Sequence, residues 1–202
     1  MNNAPAAADT FLNRLRHNTS ESHTKLEQLP LSVSIINPEV TKEQYQFYLS
    51  LMHDIVKQAE ENVFPALNSV IPDLEERRKK TSLEEDMAFL KFSKNKNNQP
   101  LGDTSGFSTA FAMGIFYVLE GSTLGGRVIL KNISETLGYD AENGASYFSG
   151  YGGQTGSRLK NFLHVLQAYA ENNDCEDEII AGADFAFNAI HRHFSQNYPD
   201  SI

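Results

Sequence analysis

Phe116-Tyr-Val-Leu-Glu-Gly-Ser-Thr-Leu-Gly-Gly-Arg-Val-Ile-Leu130 decides how the chain folds. It sits inside a mostly apolar helical pattern that runs from Ser105 to about Leu137, where Gly138 supplies a C-terminal stop. Gly114, Gly121 and Gly125 are spaced seven and four, so they share one helical face, and Gly126 adjoins them. Each interior glycine costs about 1 kcal/mol relative to alanine. Four of them require an offsetting gain, and the gain available is close approach to the backbone. Two partners fit: another helix packed tightly, or a flat ligand. The segment is also a natural place for a kink, and Ser122 and Thr123 can bond to backbone carbonyls or to waters in a cavity.

Outward from this stretch the pattern stays helical. Asp9 or Thr10 caps a helix to about Gln28, ended by Pro30. Thr41 to Gln44 reads as a capping box that opens a helix to about Leu67, with a kink at Pro65. Asp73 to Lys80 reads as a charged helix or turn, and Ser82 to Glu85 as a second capping box, for a helix to about Phe92. Ser93 to Asp103 reads as an exposed polar loop, and Asp140 to Gly156 as a loop rich in glycine and aromatics. Thr155 or Ser157 starts a helix to about Tyr169, and Asp174 caps a last one to about His193. Sustained alternation and hairpin signals are missing. The expectation is an all-α fold of about seven helices, one domain over 1–202, with 1–8 and 195–202 as tails.

Composition limits function. The 26 acidic against 17 basic residues give a net charge of −9, which disfavours a nucleic-acid partner. No apolar run approaches the roughly 20 residues of a membrane span, and the N-terminus lacks the features of a signal peptide. A cytoplasmic protein is expected. The single cysteine, Cys175, rules out an intramolecular disulfide and a Cys-rich metal site. Any transition metal or heme must then be bound largely by the six histidines.

On the first helix, Leu12, Leu15, Thr19, Ser22 and Leu26 form a stripe that is apolar at its ends and small in its middle. His23 borders this recess. Glu27, one turn on, is placed to orient its ring as a metal ligand's second nitrogen requires. Two readings stand: a metal ligand beside a flat bound group, or a packing histidine held by hydrogen bonds. Arg14 and Arg16 either reach acidic groups of a ligand or are solvated.

Together, Arg16-His-Asn-Thr-Ser-Glu-Ser-His23-Thr-Lys-Leu-Glu27 and Tyr117-Val-Leu-Glu-Gly121-Ser-Thr-Leu-Gly125-Gly126 resemble the heme oxygenase family. The second pattern, and Tyr147-Phe-Ser-Gly-Tyr-Gly-Gly-Gln-Thr-Gly156, are similar to its bacterial branch, which includes heme oxygenases that supply bacteriophytochromes. The likeness spans about residues 9 to 194.

The resemblance implies heme, both cofactor and substrate, held between a proximal and a glycine-kinked distal helix. It implies His23 as the iron ligand, and Gly121, Ser122 and Gly125 on the catalytic face with Gly126 nearby. Arg16 is implied at the propionate edge, with Tyr117, Arg158 and Lys160 as further candidates there and Phe162 lining the pocket. The implied activity is oxidative cleavage of heme to biliverdin, carbon monoxide and iron. It would use molecular oxygen and an electron donor such as a ferredoxin or reductase, with a bilin-binding photoreceptor as a possible recipient.

Many family members carry an aspartate where this chain has Ser122, so a non-catalytic heme-binding or heme-sequestering protein of the same fold is the alternative. Relatives of this fold that do not use heme fit less well. A thiaminase-like nucleophile would have to be Cys175, set among acids that disfavour a thiolate. A di-iron site would have to start from His53 with Glu60 or Glu61. Glu120 is expected to point away from the site, given its helical position.

Overall fold

Thr10 is extended (φ −65°, ψ 150°), and the chain turns helical immediately after it. The computed structural model of the chain describes residues 10–94 and 97–198. Seven α-helices are present among them: α1 (Phe11–Glu27), α2 (Pro30–Ser34), α3 (Lys42–Gln58), α4 (Lys80–Phe89), α5 (Thr109–Leu137), α6 (Thr155–Asn173) and α7 (Glu176–Asn197). The described residues contain no strand, and no helix among them is long and apolar enough to cross a membrane. Residues 1–8, expected as a tail, lie outside the described residues; α7 continues through Asn197, and 199–202 lie outside.

α7 is the element on which the helices beside the glycine stretch rest. α1 runs alongside it in the same direction: Arg14 bonds to Glu176 (2.6 Å) and Asp177 (2.8 Å), and Ser22 donates to Asp184 further along. α5 crosses α7 so closely that a Cβ on Gly114 would lie 2.0 Å from the Ile179 carbonyl oxygen. A Cβ on Gly182 would lie 2.1 Å from that of Phe111. At Gly114, helix packing is therefore the partner that close approach requires. α5 is helical without interruption through all four glycines, and Gly138 closes it in the left-handed conformation at φ 74°. Ser122 and Thr123 each donate to the carbonyl three residues back, Leu119 (2.7 Å) and Glu120 (2.6 Å).

Thr41 and Gln44 form the capping box of α3. Its end differs from expectation: the helix widens into a π-turn at Ala59–Val63 and then tightens to 3-10 at Phe64–Leu67, with Pro65 inside the 3-10 turn. The π-turn brings Glu60 inward, where it is buried, and its carboxylate caps α4. Glu60 Oε1 accepts from the amides of Lys79 (2.5 Å) and Lys80 (2.8 Å). α4 thus begins before Ser82, which is no cap. A carboxylate from a distant segment satisfies the orphan donors instead, and a local reading of four residues could not find it. Pro30, expected to end α1, opens α2 at the position that tolerates proline. Asp174 closes α6 in the left-handed conformation (φ 49°) rather than capping α7.

The polar loop before α5 is anchored rather than wholly exposed. Asn98 donates to the buried Asp54 from its amide (3.0 Å) and its side chain (3.1 Å), and Leu101 is buried. The glycine- and aromatic-rich loop is pinned at Asp86, which accepts from the amides of Ser146 (2.8 Å) and Tyr147 (2.9 Å).

Candidate functional site

α1 and α5 both pack along α7, and they come together near Arg16 and Tyr117. Burial pushes the Tyr117 phenol up, and the nearby Arg16 guanidinium offsets part of that push. Two turns along α1 from Arg16 stands His23. One and two turns along α5 from Tyr117 stand Gly121 and Gly125.

His23 is half-exposed, its side chain 52% accessible. Phe187 of α7 meets its ring edge-on at 5.2 Å and fixes its inner side. Glu27 Oε1 lies 3.5 Å from Nε2. A carboxylate thus stands beside one ring nitrogen, within reach to orient the ring and leave the other nitrogen to a metal.

On α5 a Cβ added to Gly121 or Gly125 would meet nothing. At these two positions no helix explains the glycine, in contrast to Gly114. Ser122 is exposed beside them, and Leu124 (47%) and Val128 (60%) are exposed apolar side chains on the same helix. Bare backbone, exposed aliphatic surface and a carboxylate-directed histidine fit a flat, largely apolar macrocycle with one metal. Gly126 is different again: a Cβ there would press on Phe148, 3.3 Å from its carbonyl oxygen.

The remaining expected residues are dispersed. Lys160 is exposed on α6, which touches α1. Arg158 is not brought to the groove that α1 and α5 form where they lie side by side on α7, with His23 on one side and Gly121 and Gly125 on the other; Asp73 (2.9 Å) and Glu76 (2.5 Å) hold its guanidinium. Phe162 is buried in the core, edge-on to Phe116 at 5.0 Å.

Glu120 corrects the sequence expectation, because it points inward and is only 2% exposed. Tyr151 donates to its Oε1 at 2.5 Å and Arg77 to its Oε2. Arg77 also donates to Asp73 (2.8 Å) and to the Arg158 carbonyl (3.2 Å). Burial raises the Glu120 carboxyl, against the opposing pull of Tyr151 and Arg77. Beside this cluster lies a cavity of about 60 Å³, bordered by Glu60, Arg77, Lys79, Glu120, Ser122 and Tyr147 among others. In sequence, Asp73 to Lys80 reads only as a charged helix or turn, so nothing local marks Arg77 or Lys79 as internal.

Comparison with known proteins accords with this geometry. The family model described as heme oxygenase matches residues 9–196. The heme oxygenase of Neisseria meningitidis, solved with NO and CO bound, superposes with a TM-score of 0.77 at 26% identity, covering 96% of this chain and 99% of that one. The heme oxygenase of Leptospira interrogans gives 0.79 at 20% identity, covering 93% and 99%. Heme oxygenase-1 of the cyanobacterium Synechocystis, solved with heme, gives 0.71 at 16%, covering 93% and 91%. No curated protein matches the chain.

Proposed function

The chain belongs to the heme oxygenase family, and we propose on that premise that His23 holds the iron and that Gly121 and Gly125 carry the opposite face of the heme. The activity is that of the family: oxidative cleavage of heme to biliverdin, carbon monoxide and iron, with oxygen and electrons from a reductase. Heme serves as substrate and prosthetic group, supplying the metal that activates oxygen and the ring that is opened. One contrast carries the assignment of the faces. Gly114 is filled by α7, whereas Gly121 and Gly125 face open space.

Each residue has a physical task. Glu27 orients the His23 ring. An imidazole lacks the strong electron push of a thiolate. Arg16 at the edge of the groove binds a carboxylate of the ligand with a charge-assisted bond, with Tyr117 beside it and Lys160 as a second cation. Gly121 and Gly125 let the macrocycle approach the α5 backbone. Ser122 stands where many relatives carry an aspartate, and its hydroxyl orders water at that face. Arg158 and Phe162 act behind α5, in the ion pairs and core that hold it in place.

The same reading takes 1–202 as one domain located in the cytoplasm, consistent with a lone cysteine. A ferredoxin or reductase is the proposed direct electron donor. A bilin-binding photoreceptor is the proposed recipient of the product, on the likeness of Tyr117–Gly126 and Tyr147–Gly156 to the branch that serves such receptors.

Titration of the protein with hemin tests the assignment. A stoichiometric complex with a sharp absorption band that changes in His23→Ala is expected. A band unchanged in that variant refutes His23 as the ligand. Supplying reductant and oxygen then gives a bilin spectrum and carbon monoxide, whereas a sequestering protein gives neither.

A further inference from the structure

The cavity behind the catalytic face is bordered on α5 by Phe116, Leu119, Glu120, Ser122, Thr123 and Gly126. Its volume of about 60 Å³ has room for roughly four waters, at 10–15 Å³ of such volume each. Its polar groups give those waters partners. Ser122 borders the cavity and is also exposed beside Gly121, so it joins the cavity to the groove. Tyr147, whose phenol burial pushes up and the Ser122 hydroxyl partly restores, stands next to that junction.

A cavity of this kind delivers protons only if something supplies them. Arg77 stays protonated under all working conditions. Both oxygens of Glu120 are taken, by Tyr151 and Arg77. Glu60 Oε1 is committed to the amides of Lys79 and Lys80. Burial pushes the Tyr48 and Tyr147 phenols upward. Lys79 differs from all of these. It is partly exposed, so solvent reaches it, and it borders the cavity as well. Its ammonium lies 3.4 Å above the Tyr151 ring and donates to the Gly150 carbonyl at 3.3 Å. Glu120 of α5 and Glu60 of the π-turn face it as acids, Arg77 and Arg158 as bases. Burial prevails and lowers it to about 8.

We propose that Lys79 is the proton-supplying residue of the enzyme, passing protons through cavity waters to Ser122 at the groove and being recharged from solvent. The ammonium loses one proton to the adjacent water and becomes an amine. A proton leaves the far end of the water file at Ser122, and the amine takes its replacement from bulk water. The net charge of the cluster is restored on each cycle. Lys79 acts through the waters rather than on the substrate, so it is a positioning residue of the proton path. The inference rests on the groove between α1 and α5 being the heme face.

Two measurements test it. In the heme-free protein, the rate at which acetic anhydride acylates Lys79 is followed against pH by mass spectrometry. A half-point near pH 8 is expected, and one near the ordinary lysine value of about 10.4 overturns the proposal. In the hemin complex supplied with reductant and oxygen, turnover falls as pH rises through about 8. Lys79→Met is expected to turn over at least tenfold more slowly without that alkaline limb. Lys79→Arg, which keeps the charge and stem but releases no proton, is expected to be equally slow and flat.

Wild-type rate and limb in either variant that still binds hemin overturns the proposal. Retention of the hemin band in Lys79→Met or Lys79→Arg leaves the groove assignment standing on its own. A wild-type protein that forms no hemin complex refutes the groove assignment and the proposal with it.

Discussion

Gly114 of α5 and Gly182 of α7 meet backbone to backbone: a Cβ on Gly114 would stand 2.9 Å from the Gly182 carbonyl carbon. Neither helix can move off without breaking the other's packing. Gly114→Ala and Gly182→Ala are therefore expected to destabilise the protein by about 1–3 kcal/mol, as overpacking does. Gly121→Ala and Gly125→Ala have the opposite expectation. Nothing lies within 4 Å of the added methyl, and alanine favours the helix by up to about 1 kcal/mol. These two variants should melt higher than wild type without heme and bind hemin more weakly. Thermal unfolding with and without hemin checks both halves, and a lower melting point for heme-free Gly121→Ala contradicts the reading of that face.

The glycines of α5, Gly114, Gly121 and Gly125, show how far the sequence reached. Their spacing marked one helical face and a need for close approach, but helix packing and ligand binding give identical spacing. Only the position of α7 separates Gly114 from Gly121. His23 with Glu27 was legible because both lie on one helix, one turn apart. Glu120 was misjudged because its surroundings come from elsewhere in the chain: Arg77 before α4, Tyr151 after α5. Glu60 as the cap of α4 was invisible for the same reason. It becomes a cap only because a π-turn rotates it inward, and no four-residue pattern records that.

Glu60 carries a separable structural role. Its Oε1 satisfies two amides at the start of α4, and it does so while buried. Glu60→Ala leaves both donors unmatched and is expected to cost about 1–2 kcal/mol, the range of a lost cap with a buried acceptor. Glu60→Gln keeps an acceptor oxygen and should cost less. Urea unfolding of the two variants at neutral pH measures the difference, and equal losses would show that the charge, rather than the cap, is what α4 needs.

Acid stability should depend on Asp54. Burial opposes its ionisation, yet the His193 imidazole 3.3 Å away, the Lys94 ammonium and two hydrogen bonds from Asn98 outweigh it and hold the carboxyl at about 2. The folded value lies below the ordinary aspartate value of about 3.9. The stabilisation is therefore complete above about pH 4 and is lost as pH falls towards 2, amounting to about 2 kcal/mol at most. Asp54→Asn should lower stability at pH 7 and flatten the fall between pH 5 and 2. Melting temperatures across that range give the slope, and an unchanged slope in the variant would place the acid sensitivity elsewhere.

Arg16 is exposed in the heme-free protein, with Tyr117 as a neighbour on α5. A protein of net charge −9 that binds a dicarboxylate needs a local cation at the mouth of its site. Arg158 cannot serve, because Asp73 and Glu76 already neutralise it. Arg16 and Lys160 remain, and Arg16 is the one beside the groove. Arg16→Gln is expected to weaken hemin binding several-fold to about tenfold at low salt, the scale of one charge-assisted bond at a partly hydrated edge. The difference from wild type should narrow as salt is raised, because screening acts on the attraction the variant has lost. Arg158→Gln should leave hemin affinity near wild type and lower stability instead, through the ion pairs it releases. Hemin titrations of both variants at two salt concentrations separate these outcomes, and a salt-independent loss in Arg16→Gln would mean that the residue shapes the groove rather than attracting the ligand's charge.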